Sequence, residues 1–247
     1  MNRSLKVFNS KSYIILYITL MIGILIPTFS SNTVDNVWVK FLNIISNEWF
    51  ITAVIISVLL IVERIYNIYH NINIMIRFKD LKSFIKNALK VITKNIIIYL
   101  IFAIFISFIF SIVISNFNFS TYYYSYYEIN LIIYEMFFAI RLIAIIYLLS
   151  IICYFLRFNF GNVITIIIFA VITILNLMYY QIPFFSNINI TDFTSIPFLF
   201  ISYFKIIDFS SFWLEICASL IQLLILVTII IIIEFINIEK EQKDKLK

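Results

Sequence analysis

Several charged residues lie within or beside long apolar runs, where an ion is costly because hydrocarbon does not solvate it, and four of them are singled out. Glu135 and Arg141 fall inside one run, and Glu63 and Arg64 lie at the end of another. Charged residues in such places commonly line a path, pair with each other or bind a partner. All four are therefore candidate functional residues.

Two interpretations of Glu135 and Arg141 remain open. Six positions along a helix separate them by about 9 Å, too far for a favourable i,i+4 pair. In one interpretation the membrane segment begins near Ile140, and both residues lie at the membrane interface. In the other both lie inside the helix bundle, where they line a path or pair with another subunit. For Glu63 and Arg64 the choice is between extending to the headgroups and coupling to a cytoplasmic partner.

Segment 78–94 has two stripes at helical spacing. The apolar stripe comprises Leu81, Phe84, Ile85, Ala88, Leu89 and Ile92. The basic stripe comprises Lys79, Lys82, Lys86, Lys90 and Lys94. A helix with one apolar and one cationic face belongs at a membrane surface or against a partner protein. The segment therefore predicts either an anchor on anionic lipid or a docking element.

Catalytic signatures are absent from the sequence. The phosphate-loop pattern G-x-x-x-x-G-K-[ST], the H-E-x-x-H pattern and the G-x-S-x-G pattern do not occur. The single histidine, His70, excludes a multi-histidine metal centre. We therefore predict no catalytic residue, no metal site and no cofactor bound by this chain, and we expect no nucleic-acid partner.

Composition places the chain in the membrane. Hydrophobic residues make up 63% of the 247 residues and charged residues 13%, and the mean hydropathy is +1.05. A soluble domain carries roughly a quarter charged residues. We predict an all-α polytopic membrane protein with one domain, 1–247. The six expected transmembrane helices cover about 13–29, 50–66, 95–115, 131–156, 163–180 and 212–236.

The connecting segments differ in character. Residues 30–47 are predicted to be a polar loop, and the RFNFGN sequence at 157–162 predicts a tight turn between spans four and five. Segment 183–204 contains Pro183 and Pro197 around an apolar stretch too short to span, so we predict a broken re-entrant segment before span six. The amphipathic helix 78–94 lies between spans two and three.

The distribution of Lys and Arg predicts the orientation. Fifteen of the 18 basic residues fall on one side of the predicted spans, including the lysines of 78–94 and the basic residues at both termini. Only Lys40 and Lys205 fall on the other side, and Arg141 lies within a span. Basic loops stay in the cytoplasm. We therefore expect both termini and helix 78–94 to be cytoplasmic.

This layout resembles that of the type-2 ABC transporter permeases. Those subunits share six spans, cytoplasmic termini, a coupling helix between spans two and three, and a re-entrant segment before span six. The corresponding stretches here are 77–94 and 183–204. The segment IRFKDLKSFIKNALK is also similar to an R-[FY]-x-x-x-x-x-[WF] pattern of that group, matched by Arg77, Phe78 and Phe84. In its size and its Ile- and Asn-rich composition, the chain resembles the small Firmicutes permeases that act in bacteriocin or lantibiotic export and immunity.

The resemblance implies a permease subunit in a bacterial plasma membrane, exporting a hydrophobic or amphipathic substrate such as an antimicrobial peptide. A separate cytoplasmic ABC ATPase would use the ATP, and a second copy or a related permease would complete the membrane part. The apolar stripe would seat in a groove of the ATPase. The candidate ATPase contacts are Arg77, Phe78, Lys79, Asp80, Lys82 and Phe84. The alternative is a non-transporting membrane immunity or scaffold protein that binds a toxin or partner through its outer loops.

Overall fold

Long runs of Ile, Leu, Val and Phe satisfy their backbone hydrogen bonds internally as helices, as segments in hydrocarbon must. The computed structural model describes residues 10–30, 36–70, 81–120, 123–124, 128–178 and 211–245. Its helices are α1 (Ser10–Ser30), α2 (Val37–Ile45), α3 (Glu48–Tyr69), α4 (Leu81–Ile114), α5 (Leu131–Met178) and α6 (Phe212–Lys245). A short antiparallel pair, β1 (Tyr123–Tyr124) and β2 (Ile129–Asn130), lies between α4 and α5.

The structure confirms the prediction of a helical protein with apolar helices of membrane-spanning length. Within the described ranges, four helices are long and apolar enough to cross a membrane: Glu48–Tyr69, Lys82–Ile114, Leu131–Ile174 and Phe212–Phe235. Helix α1 contributes a shorter apolar stretch, Ile14–Thr28. The predicted re-entrant segment 183–204 lies outside the described residues.

Helix α5 is interrupted at one residue. Gly161 has φ 80° and ψ −178°, a positive-φ conformation that favours glycine because it lacks Cβ. Beyond it, Ile166 and Phe169 line a groove with Ile55 and Leu59 from the middle of α3. The chain therefore turns back along α3 after Gly161, at the turn that the sequence predicts between 131–156 and 163–180.

The predicted polar loop 30–47 is wrong over part of its length, because residues 37–45 form α2. Asn36 caps this helix: its side-chain oxygen accepts from the backbone N–H groups of Trp38 and Val39. Its Nδ2 donates to the carbonyl oxygen of Ser120 at 2.8 Å, and Val37 N donates to the Asn118 carbonyl at 2.9 Å. Apolar residues of α2 are buried against α4 and α5. A packed helix therefore lies between the polar residues that led to the loop prediction.

Helices α1 and α3 approach closely at a glycine. A Cβ placed on Gly23 would lie 2.5 Å from the Cβ of Ala53 and 3.2 Å from the carbonyl oxygen of Trp49. Those separations are too short for a side chain, so Gly23 sets the distance between the two helices. Small residues allow this kind of close packing in membranes.

The predicted amphipathic helix and the predicted third span are one helix, α4. Its apolar stripe is covered by the rest of the chain: Phe84 is 2% exposed, and Ala88 and Ile92 are fully buried. The opposite side exposes the lysines, Lys82, Lys86, Lys90 and Lys94. Residues 78–80 lie outside the described part of the chain.

Candidate functional site

Two clusters of side chains, each built around an arginine–glutamate pair, lie between the helices. The first, called the Arg141 cluster, contains Tyr134 and Arg141 of α5 and Glu215 and Gln222 of α6. The second, called the Arg157 cluster, joins the end of α3 to α4 and α5. It contains Glu63, Tyr66, His70, Phe84, Phe158 and Arg157.

Helical spacing brings the Arg141 cluster together. Tyr134 and Arg141 are seven positions apart on α5, as are Glu215 and Gln222 on α6, so each pair lies on one helix face. Helix α6 begins beside the start of α5, where the ring of Phe212 lies 6.1 Å from that of Tyr134. The two faces therefore meet in register.

Arg141 is the donor at the centre of this cluster. Its Nη1 lies 3.3 Å from Oε1 of Glu215, and its Nη2 donates to Oε1 of Gln222 at 3.3 Å. The Tyr134 hydroxyl donates to the same Glu215 oxygen at 3.2 Å. Glu215 lies in the first turn of α6, where the helix dipole also favours a negative charge. None of the four side chains is appreciably exposed.

Glu135 and Arg141 both lie in α5, which begins at Leu131, and both are buried inside the helix bundle, at 2% and 5% exposure. Arg141 pairs within its own chain, with Glu215 rather than with Glu135. Neither carboxyl oxygen of Glu135 has a hydrogen-bond partner among the described residues. Glu135 is therefore a buried acid that the Arg141 cluster does not satisfy.

The Arg157 cluster is built around a fork-shaped ion pair. Arg157 Nε donates to Glu63 Oε2 at 2.8 Å and Nη2 donates to Oε1 at 3.1 Å, a bidentate geometry that strengthens the pair. The guanidinium carbon lies 4.6 Å from the centre of the Tyr66 ring, a cation–π contact. The side chains of Arg157 and Glu63 are 17% and 27% exposed, so water reaches both.

His70 connects this ion pair to α4. Its ring stacks on Tyr66 at 3.7 Å and meets Phe84 edge-on at 5.0 Å. Its Nδ1 lies 3.1 Å from the Tyr66 carbonyl oxygen, which only accepts, so Nδ1 is the donor. Burial lowers the pKa of His70; the hydrogen bond to Tyr66 raises it, and the charge of Arg157 lowers it further. The neutral ring therefore fits the site best.

The predicted ATPase contacts divide into three groups. Arg77, Phe78, Lys79 and Asp80 lie outside the described residues. Lys82 is exposed at the start of α4 and is accessible to a partner. Phe84 is buried in the Arg157 cluster, so the prediction that it lies on a partner-facing surface is wrong. Its side chain instead packs within the chain.

The remaining predicted charges lie at the end of α3. Glu63 is partly exposed and pairs with Arg157, while Arg64 is exposed. Sequence reasoning missed the roles of His70, Glu215 and Gln222. The seven-residue spacing of polar residues in two apolar segments is the signal that could have indicated the Arg141 cluster.

Among the residues described, no group of three or more His, Cys, Asp and Glu side chains could hold a metal ion. The polar clusters instead connect helices. No protein-family model matches the chain, and no curated protein or solved structure shows significant similarity to it.

Proposed function

We propose that this chain is the membrane-spanning permease subunit of an ABC transporter. It exports a hydrophobic or amphipathic compound such as an antimicrobial peptide, and a separate cytoplasmic ATPase supplies the energy. The permease has six spans in a bacterial plasma membrane, with both termini in the cytoplasm. A second copy or a related permease completes the membrane part.

The observation that carries this proposal is the continuity of α4. Its lysine-bearing turns and its membrane-length part form one uninterrupted helix, Leu81–Ile114. A displacement of the lysine end therefore moves the apolar part as well, since no loop lies between them to absorb it. This is the property that a coupling element requires.

The Arg157 cluster supports the same function. Phe84 contacts Tyr69 and His70 at the end of α3, and His70 contacts Phe158 of α5. A push on the first turns of α4 would therefore reach α3 and α5 together. Because Phe84 is enclosed, the partner would contact the exposed lysine side rather than the apolar stripe.

The distribution of charge supports a partner on the lysine side of α4. Lys82, Lys86, Lys90 and Lys94 are exposed on one side of α4, and positive residues are retained in the cytoplasm. An acidic surface on an ATPase would complement them. Exposed apolar residues of α4 and α6, such as Phe105 and Leu224, face lipid or a second permease.

The test is co-purification from the native membrane in detergent. We expect a phosphate-loop protein, identified by mass spectrometry, to co-purify with the wild-type chain. The combined variant Lys82→Glu, Lys86→Glu and Lys90→Glu should lower its recovery by about tenfold, since reversed charges repel an acidic surface. The matched Lys→Arg variant keeps the charge and should retain the ATPase.

Retention of the ATPase by the glutamate variant would show that the lysine side is not the contact. Failure of any phosphate-loop protein to co-purify with wild type would contradict the permease assignment. Protection against a toxin that persists in cells lacking the ATPase would instead favour a non-transporting immunity protein.

A further inference from the structure

An apolar groove of about 430 Å³ opens between α2, α4 and α5. Its volume falls within the roughly 300–1,000 Å³ of sites that bind drug-sized ligands. Phe105, Met136 and Ile140, which line it, are more than half exposed, so the groove is reached from the apolar surface of the bundle. Glu135 also lines the groove, but it is 2% exposed and both of its carboxyl oxygens are buried, so its side chain must turn toward the groove to meet a ligand.

Among the described residues that line the groove, Glu135 alone has an ionisable side chain, and the other side chains are apolar or aromatic. Neither of its oxygens has a hydrogen-bond partner among the described residues. The nearby cation, Arg141, is engaged by Glu215 and Gln222 on α6. A buried carboxylate without a partner is unfavourable, so a cation placed beside Glu135 would stabilise the ionised form of its side chain.

Aromatic side chains form one wall of the groove. The ring of Phe108 lies 5.6 Å from that of Trp38 and 5.4 Å from that of Phe41. Aromatic faces attract cations, and the attraction grows when the cation is removed from water. An apolar groove with aromatic faces and one carboxyl group is complementary to a cation that has an apolar body.

We propose that this groove binds a lipophilic monovalent cation, with its charge at Glu135 and its apolar body against Trp38, Phe41 and Phe108. The site goes beyond the proposed transport function, because binding requires neither ATP hydrolysis nor a partner protein. It is distinct from the Arg141 cluster, whose charges compensate each other within the chain.

Two ions of the same shape and opposite charge test the proposal: tetraphenylphosphonium and tetraphenylborate. Each is titrated separately into the full purified chain in nanodiscs, and saturable binding is measured after subtraction of protein-free nanodiscs. We expect saturable binding of the phosphonium and none of the borate. Equal binding of both ions, or no saturable binding of the phosphonium, would overturn the proposal.

Glu135→Gln keeps the shape of the side chain and removes its ability to ionise. We expect the affinity for tetraphenylphosphonium to fall by about tenfold or more, as when one partner of a buried charge pair is lost. Glu234→Gln is the matched control, because Glu234 is an exposed acid of α6 away from the groove. Unchanged affinity in Glu135→Gln, or an equal loss in Glu234→Gln, would contradict the site.

A second variant tests the location independently of charge. Ala139 lines the groove one helical turn from Glu135, and Ala139→Phe would fill it. We expect this variant to lose saturable phosphonium binding while eluting as the wild type does in size-exclusion chromatography. Wild-type affinity in Ala139→Phe would place the cation elsewhere, whether or not Glu135→Gln can be purified.

Discussion

The Arg141 and Arg157 clusters use the same chemistry, an arginine paired with a glutamate on another helix, in different surroundings. Arg141 and Glu215 are almost completely buried and their contact is 3.3 Å long, with one guanidinium nitrogen on each acceptor. Arg157 and Glu63 are partly exposed, and their fork has contacts of 2.8 and 3.1 Å. The more deeply buried pair therefore has the longer contact, and the more exposed pair has the shorter, bidentate contacts.

This difference indicates that the two ion pairs make different contributions to the stability of the helix bundle. A buried pair stabilises little relative to apolar residues, but removing one partner leaves an unpaired ion in hydrocarbon. The Arg141 cluster therefore fixes which face of α6 meets α5. An exposed pair can exchange its partner for water, so the Arg157 cluster can rearrange at lower cost. That property suits the end of the bundle where α4 begins.

The largest effect is expected from Arg141→Met. Loss of the guanidinium leaves Glu215 buried without its cation, and we expect the free energy of unfolding to fall by about 3–5 kcal/mol. The double variant Arg141→Met, Glu215→Gln should recover more than half of this loss, because no unpaired charge remains. Thermal unfolding in detergent measures both; a double variant no more stable than Arg141→Met would argue against a specific pair.

A smaller effect is expected from Arg157→Met. This change removes a partly exposed pair and a cation–π contact, so we expect a loss of about 1 kcal/mol. Increasing salt should reduce the loss for Arg157→Met but not for Arg141→Met, since ions screen the pair that water reaches. Lys94→Met, an exposed change on α4, serves as the control. Equal salt dependence at both arginines would contradict the proposed contrast.

The smallest effect is expected at His70. Because its pKa is lowered in the folded chain, the unfolded chain takes up the proton first as pH falls. The stability contributed by neutral His70 is therefore complete above its unfolded pKa and is lost as pH falls through the lowered folded pKa. Melting temperatures at pH 7.5 and 5.5 should drop more for wild type than for His70→Phe.

The side chains around His70 determine how the pH dependence of the melting temperature is interpreted. Tyr66, Tyr154, Phe84 and Phe158 contact its ring, Arg157 bears the nearby charge, and Glu63 pairs with Arg157. His70→Phe leaves these groups in place, so the comparison isolates the imidazole. A pH response that His70→Phe leaves unchanged would assign the titration to other groups.

The sequence predicts the long helices well because an apolar run of membrane length has few other stable conformations. It also predicts the turn before residue 163, where Gly161 takes a backbone conformation that favours glycine. Helix α2 escapes prediction because it has only nine residues and adjoins Ser and Asn. The side-chain amide of its capping residue, Asn36, also donates to the distant Ser120, a contact that the local pattern does not reveal.

The candidate site was harder to predict for a related reason. Amphipathic spacing shows that Phe84 belongs to an apolar face, but that face could meet lipid, a partner or the chain itself. The structure shows the last of these. Likewise, the distance along α5 excludes a Glu135–Arg141 pair, yet it contains no information about Glu215 on another helix. Contacts between helices depend on rotation and register, which one sequence does not fix.

The cap of α2 also has a consequence for the timing of folding. Asn36 and its hydrogen-bond partner Ser120 are 84 residues apart in the chain. At synthesis rates of about 5–20 residues per second, the ribosome needs roughly 4–17 seconds to make that length. During that interval α2 lacks a partner for its capping amide, and the Trp38 wall of the groove is not yet fixed. Completion of this face therefore waits for synthesis to pass the end of α4.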